Sequence, residues 1–137
     1  MKKSFISLAI IFFAFAAYAN EITESRTFAW DMSDLENVVQ WEMEWSDFEA
    51  EQFIKLGDIP YDGNPQPSFE AILEATVTGP AGTMVRKYFR LRTCGNTPQS
   101  DGTTTYECSG YSNVVYSDFW IPANEFQVPV NFRVLAE

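Results

Sequence analysis

Apolar and polar residues alternate over short runs through most of this chain, and turn residues separate the runs. "RTFAW" (26–30) sets Arg26, Phe28 and Trp30 against Thr27 and Ala29. "VVQWEMEW" (38–45) puts Trp41, Met43 and Trp45 on one face and Gln40, Glu42 and Glu44 on the other. "MVRKYFRLRTC" (84–94) sets Phe89 and Leu91 against Arg90 and Arg92. A period of two is the mark of a strand with one face buried. "DFEAEQFIKL" (47–56) allows a helix or a turn into a strand, and the reading adopted is a short strand near Phe53–Leu56. "GDIPYDGNPQP" (57–67) reads as a loop, "SFEAILEATVTG" (68–79) as a strand and "GPAGT" (79–83) as a turn. "CSGYSNVVYSDFW" (108–120) is the hairpin partner expected for 84–94, and Val130–Leu135 is one more strand-like run. The chain is expected to be all-β, a sandwich of about seven short strands.

The start of the chain departs from this pattern. Lys2 and Lys3 precede an apolar run from Phe5 to Ala17, and Ala17-Tyr18-Ala19 is a small-x-small cleavage signature. The run is short for a membrane span. It reads as a signal peptide over 1–19, followed by a domain over 20–120 and an extension over 121–137 with a possible extra strand. The expected location is secreted or periplasmic, with no membrane insertion once the signal is removed. In an oxidising compartment the two cysteines, Cys94 and Cys108, most simply form one disulfide; two free thiols are the other reading.

Charge narrows the functional classes. Without Lys2 and Lys3, seven Lys and Arg face nineteen Asp and Glu, a net charge of −12. Such a chain repels phosphate backbones and anionic lipid surfaces, so nucleic acid is not an expected partner. There is no histidine, which excludes Ser–His and Cys–His nucleophiles and His-based metal sites. Alternate strand residues such as Glu42 and Glu44 stand about 6.5–7 Å apart, a spacing seen in inverting glycosidases. The reading adopted is an exposed, ionised pair beside Arg90 and Arg92. "DMSDLEN" (Asp31, Asp34, Glu36) and "YDGN" (Asp62, Asn64) supply oxygens for calcium but match no EF-hand loop, and read as solvated acidic loops. Neither an enzymatic activity nor a metal or cofactor is expected.

"RKYFRLRTCGN…YECSGYSNVV" resembles the F and G strands of a fibronectin type III domain, through Phe89, Arg90, Leu91, Arg92, Cys94, Cys108, Ser109, Gly110, Tyr111, Ser112 and Asn113. "FAWDMSDLENVVQWEMEWS" resembles its B strand, BC loop and C strand, with Trp30 as the core tryptophan of B. The resemblance covers roughly residues 26–117. It implies an immunoglobulin-like β-sandwich with one F–G disulfide and with strands C and F side by side, so that Glu42 and Glu44 face Arg90 and Arg92. The family's corner tyrosine falls at Lys87, with Tyr88 one place along. No proline-led A strand precedes Arg26. Three sources for that strand stay open: residues 21–27, the folded-back tail "VPVNFRVLAE", or the same tail donated to a neighbouring molecule.

The functional expectation is a non-catalytic recognition module binding a protein or glycan through loops at one end. The binding candidates are Asn96, Gln99, Asp101, Thr104 and Tyr106 in the disulfide-closed loop, together with the 31–38 loop. Trp120 is a further candidate; it is expected outside the regular strands, capping the sandwich or stacking on a ligand. The alternatives are a structural subunit of a surface assembly joined by its last strand, and an enzyme inhibitor or accessory domain. The protein is expected to be a monomer or a strand-mediated oligomer.

Overall fold

The computed structural model describes residues 19–123 and 129–136. The signal-peptide reading therefore lies outside the described residues, apart from Ala19. Seven strands make up the described fold, with no helix: β1 (Ala19–Asp31), β2 (Val38–Ser46), β3 (Ile54–Pro60), β4 (Ser68–Pro80), β5 (Thr83–Pro98), β6 (Thr104–Cys108) and β7 (Val115–Ile121). They form two sheets. β1 pairs with β4, and the larger sheet runs β3-β2-β5-β6, with β7 also on β5. All pairings are antiparallel.

The alternation read from the sequence dictates the packing. Met43 of β2, Ala75 and Val77 of β4, Phe89 of β5, and Phe119 and Ile121 of β7 form the buried cluster between the sheets. Trp41 is buried beside Trp30, Phe69 and Tyr61, with ring centroids 4.7–5.6 Å from its own. Edge-to-face and tilted aromatic contacts of this kind contribute beyond the area they bury.

β5 is the longest strand and organises the larger sheet. One edge pairs with β2 over Val38–Ser46. The other is shared: β7 covers Thr83–Phe89 and β6 covers Cys94–Pro98. The expected single hairpin partner, 108–120, is therefore split. Between its parts, Ser109 and Ser112 hold the chain to β5: the Ser109 backbone N–H donates to Thr93 O and the Ser112 N–H to Leu91 O, while the two hydroxyls accept from the Thr93 and Leu91 N–H groups. These hydroxyls replace the ladder where the backbone departs from it.

Other boundaries move as well. Residues 57–60, expected in a loop, complete β3 against Gln40–Met43. Residues 19–31 are one uninterrupted strand paired with β4 throughout, so 21–27 is not a separate A strand. β7 includes Trp120, because Phe119 and Ile121 are both buried and the residue between them must face away. Residues 129–136 form no strand among the described residues. Lys87, at the expected corner position, lies over the Trp45 ring and pairs with Asp47, whereas Tyr88 packs edge-on against Tyr116. The family's tyrosine corner is not formed.

Candidate functional site

The strand pairing that the resemblance implies is present between β2 and β5: Glu42 lies opposite Arg92 and Glu44 opposite Arg90. Arg90 donates to Glu44 Oε1 from Nε at 2.8 Å, and its Nη2 is 2.7 Å from the same oxygen. Its guanidinium sits between the Tyr111 ring, at 3.6 Å, and the Phe53 ring, at 4.1 Å. Tyr111 Oη in turn donates to Glu44 Oε2 at 3.2 Å. The group is closed, each charged atom held by an opposite charge or an aromatic face.

Glu42 was expected at the surface, but only 5% of it is exposed. Lys55 Nζ and Arg92 Nη2 both lie 3.3 Å from its Oε1. Its Oε2 lies 3.1 Å from Cys94 Sγ and 3.6 Å from Cys108 Sγ. The Cys94–Cys108 disulfide is formed, between residues directly opposite in the β5–β6 ladder. Cys94 shares the outward face with Arg90 and Arg92, as its parity requires, yet it is fully buried rather than on the solvent side. The hairpin folds over it, and Tyr106 Oη approaches Glu42 Oε2 at 3.5 Å while accepting a 2.8 Å bond from Gln40 Nε2. Glu42 and the two sulfurs have ligand atoms within 4.8 Å of one another, but sulfurs bonded to each other offer no thiolate to a metal. With both carboxylates held by cations, the Glu42/Glu44 pair presents no free base.

The expected loop 95–107 is largely a ladder. Gly95–Pro98 pairs with Thr104–Glu107, leaving a tight turn at 99–103. Gln99 N–H donates to Thr103 O at 2.7 Å. Asp101 accepts from both the N–H and the hydroxyl of Thr103, which hold its carboxyl below the usual value of 3.8. Gln99 Nε2 donates to Thr97 O. Gln99 and Asp101 thus use their polar groups to build the turn. Asn96 lies opposite Tyr106, and its N–H donates to Asn37 O at 3.1 Å, which brings the 31–38 loop to the same end of the molecule. Thr104 is exposed opposite Pro98. Asp34 and Asp62 each accept a backbone N–H two residues ahead, shaping their own turns. Beside them, an open cleft of about 590 Å³ lies between Met32, Leu35 and Pro65–Pro67.

Trp120 is not part of that end. It lies opposite Met84 on β5, whereas Tyr106 lies opposite Asn96. At about 3.3 Å per residue this separation is roughly 40 Å along the strand. The candidates therefore form two groups. Around Trp120, which is 53% exposed, the outward face of β5 and β7 carries three rungs: Met84–Trp120, Arg86–Asp118 and Tyr88–Tyr116. Arg86 makes a bidentate pair with Asp118, at 2.8 and 3.0 Å, and lies 3.9 Å over the Tyr116 ring. Hydrogen bonding to Asp118 raises the Arg86 pKa, and the same bonds lower that of Asp118. Met84, Tyr116 and Trp120 are all exposed. Sequence reasoning passed over Tyr116, Asp118 and Arg86, although "YSDFW" carries the signal: Tyr116, Asp118 and Trp120 recur at every second position.

Comparison with family models, with curated proteins and with solved structures gives no match for this chain.

Proposed function

We propose that this chain is an exported, non-catalytic recognition module on a fibronectin type III-like sandwich, binding a protein surface through the outer face of β5 and β7. The strand arrangement supports the fold reading. β1 and β4 correspond to strands B and E, β3-β2-β5 to C′-C-F, and β6 with β7 to an interrupted G. Of the sequence motifs quoted for the family, 84–94 lies on β5, 26–31 on β1 and 38–46 on β2, while Ser109–Asn113 lies between β6 and β7.

The observation that carries the function is the set of rungs Met84–Trp120, Arg86–Asp118 and Tyr88–Tyr116, in which Met84, Arg86, Tyr116 and Trp120 are exposed and Tyr88 and Asp118 half-buried. Trp, Tyr and Arg are the residues that anchor protein interfaces, because they offer large rigid areas with a polar tip. Here Arg86 is already fixed by Asp118 and Tyr116, so little side-chain freedom is lost on binding. The hairpin end, whose polar groups are mostly engaged in its own turn, is the weaker surface.

The test uses the mature chain from Asn20 against proteins of its native envelope or medium, with a glycan array in parallel. Trp120→Ala or Tyr116→Ala should weaken capture at least tenfold, about 1.4 kcal/mol, without moving the melting temperature. Retained capture in both variants would remove the proposal. Loss only in Asn96→Ala or Tyr106→Ala would move the site to the hairpin end, and hits confined to the array would make the ligand a glycan.

A further inference from the structure

Among the described residues, β1 pairs with β4 alone, and its other edge carries no strand. On that side a cleft of about 120 Å³ opens into the core between Phe28 and Trp30 of β1 and Val115 at the start of β7, with Met43 and Phe89 at its base. An apolar cavity of about 150 Å³ takes a benzene ring, so the cleft is of the size that one aromatic side chain fills from an open mouth. The gap narrows beyond it. Arg26 reaches across from β1, donates to Ser117 Oγ at 2.8 Å and Asp118 O at 3.1 Å, and covers the Phe119 ring at 4.2 Å. The open stretch therefore runs from Phe28 towards Asp31.

The same chain carries a segment whose alternation suits such a stretch once Asn131, now at a φ of 57°, becomes extended. Val130, Phe132 and Val134 recur at alternate positions, and they are 73%, 96% and 95% exposed. In an extended strand all three share one face. Asn131 and Arg133 take the other. An apolar face of this kind has no use in water and is an aggregation hazard unless it is paired.

We infer that residues 129–136 of one copy add as a strand to the free edge of β1 in a second copy, with Phe132 seated in the cleft beside Phe28, Trp30 and Val115. Reach decides between the chain's own tail and a neighbour's. β7 ends where β1 begins: Asn20 Nδ2 donates to Pro122 O at 3.0 Å. From there the cleft lies about nine residues up β1, roughly 30 Å at 3.3 Å per residue. The chain's own Phe132 arrives only if residues 123–131 run nearly fully stretched, and then parallel to β1. A tail from another molecule enters from the opposite end and runs antiparallel, the more stable pairing. Because the donated strand and the accepting edge are different surfaces, copies add head to tail, or close by exchanging tails where the rotation allows.

The mature chain should therefore grow in apparent mass with concentration in size exclusion with light scattering. Phe132→Asp removes the donor face and Val115→Asp spoils the acceptor, so each variant alone should be monomeric and an equimolar mixture should give a dimer. If Val115→Asp does not fold, a peptide of residues 128–137 should bind Phe132→Asp one to one. A wild-type chain that stays monomeric at every concentration overturns the inference, even if Phe132→Asp lowers its melting temperature, since that result assigns the strand to its own molecule. Assembly that survives Phe132→Asp, or variants that neither complement each other nor take up the peptide, overturns it equally. None of these results depends on Trp120 or Tyr116.

Discussion

At the scale of single residues, the most consequential side chain is Glu42. Its alternation with Trp41 and Met43 places it on the outer face, where a carboxylate is ordinarily solvated. Instead the hairpin closes over it, and its charge is balanced by Arg92 and Lys55. Arg92 Nε is buried with no hydrogen-bond partner among the described residues, so the guanidinium is held by its bond to Glu42 and by the Tyr111 ring at 5.2 Å. Glu42→Gln preserves shape and removes charge; it should cost about 1.5–3 kcal/mol, the range for hydrogen bonds to a charged group, measured by denaturant unfolding. Asp118 makes a prediction of the acid limb. Its folded pKa lies below 3.8 because Arg86 hydrogen-bonds the ionised form. The stability this gives is fully present above the unfolded value and is lost as pH falls through the lowered folded value. Carboxyl titration by NMR should find Asp118 ionising below 3.8, and Arg86→Leu should return it towards that value. Gly95 meets a different constraint. A Cβ there would lie 2.1 Å from Asn37 O, a backbone atom beside the register shift at Val38/Gln40. Gly95→Ala should destabilise by about 1–3 kcal/mol through overpacking, visible as a lower unfolding midpoint.

At the scale of elements, the hairpin of β5 and β6 explains why the chain's disulfide encloses a polar stretch. Among the described residues, β6 pairs with nothing but β5 and buries almost no apolar surface of its own. An isolated two-stranded ribbon is marginal in water. The sulfur bridge ties it at its base, beside Glu42, and keeps Tyr106 over that carboxylate. Closing a segment of this length contributes about 3 kcal/mol by chain-entropy estimates. The double variant Cys94→Ala/Cys108→Ala should lose stability of that order, and amide exchange should accelerate first in Thr104–Cys108, before β2 or the β7-paired half of β5. If exchange rises evenly across the larger sheet, the bridge stabilises the whole domain rather than the ribbon. That residues 104–121 break into two strands, β6 and β7, was not legible in the sequence. "SGYSNVV" has the residues of a strand, and only the positions of Ser109 and Ser112 against Thr93 and Leu91 show that hydroxyls replace the ladder there.

At the scale of the whole molecule, charge and the unpaired edge work against each other. Copies carrying a formal net charge of −10 repel one another, and the screening length falls from about 30 Å at 0.01 M salt to about 8 Å at 0.15 M. The head-to-tail assembly should therefore strengthen as salt is raised over that range. Weakening on salt addition would mean that charge attraction, not apolar burial, joins the copies. The two proposed surfaces lie apart, one on the outer face of the larger sheet and one at the free edge of the smaller, so an assembled chain can still present its aromatic rungs.

The alternation by itself determined the all-β character, the inward set Trp41, Met43, Phe89 and Leu91, and the outward set Glu42, Glu44, Arg90 and Arg92. These follow from a local rule: successive side chains in a strand face opposite ways. The tertiary structure alone decided that Glu42 and Cys94 are covered, that Tyr106 and Trp120 stand at opposite ends of β5, and that β1 keeps one edge open among the described residues. Each depends on which strands become neighbours and where a strand stops, and those are settled by contacts between residues far apart in the chain, of which a period of two carries no record.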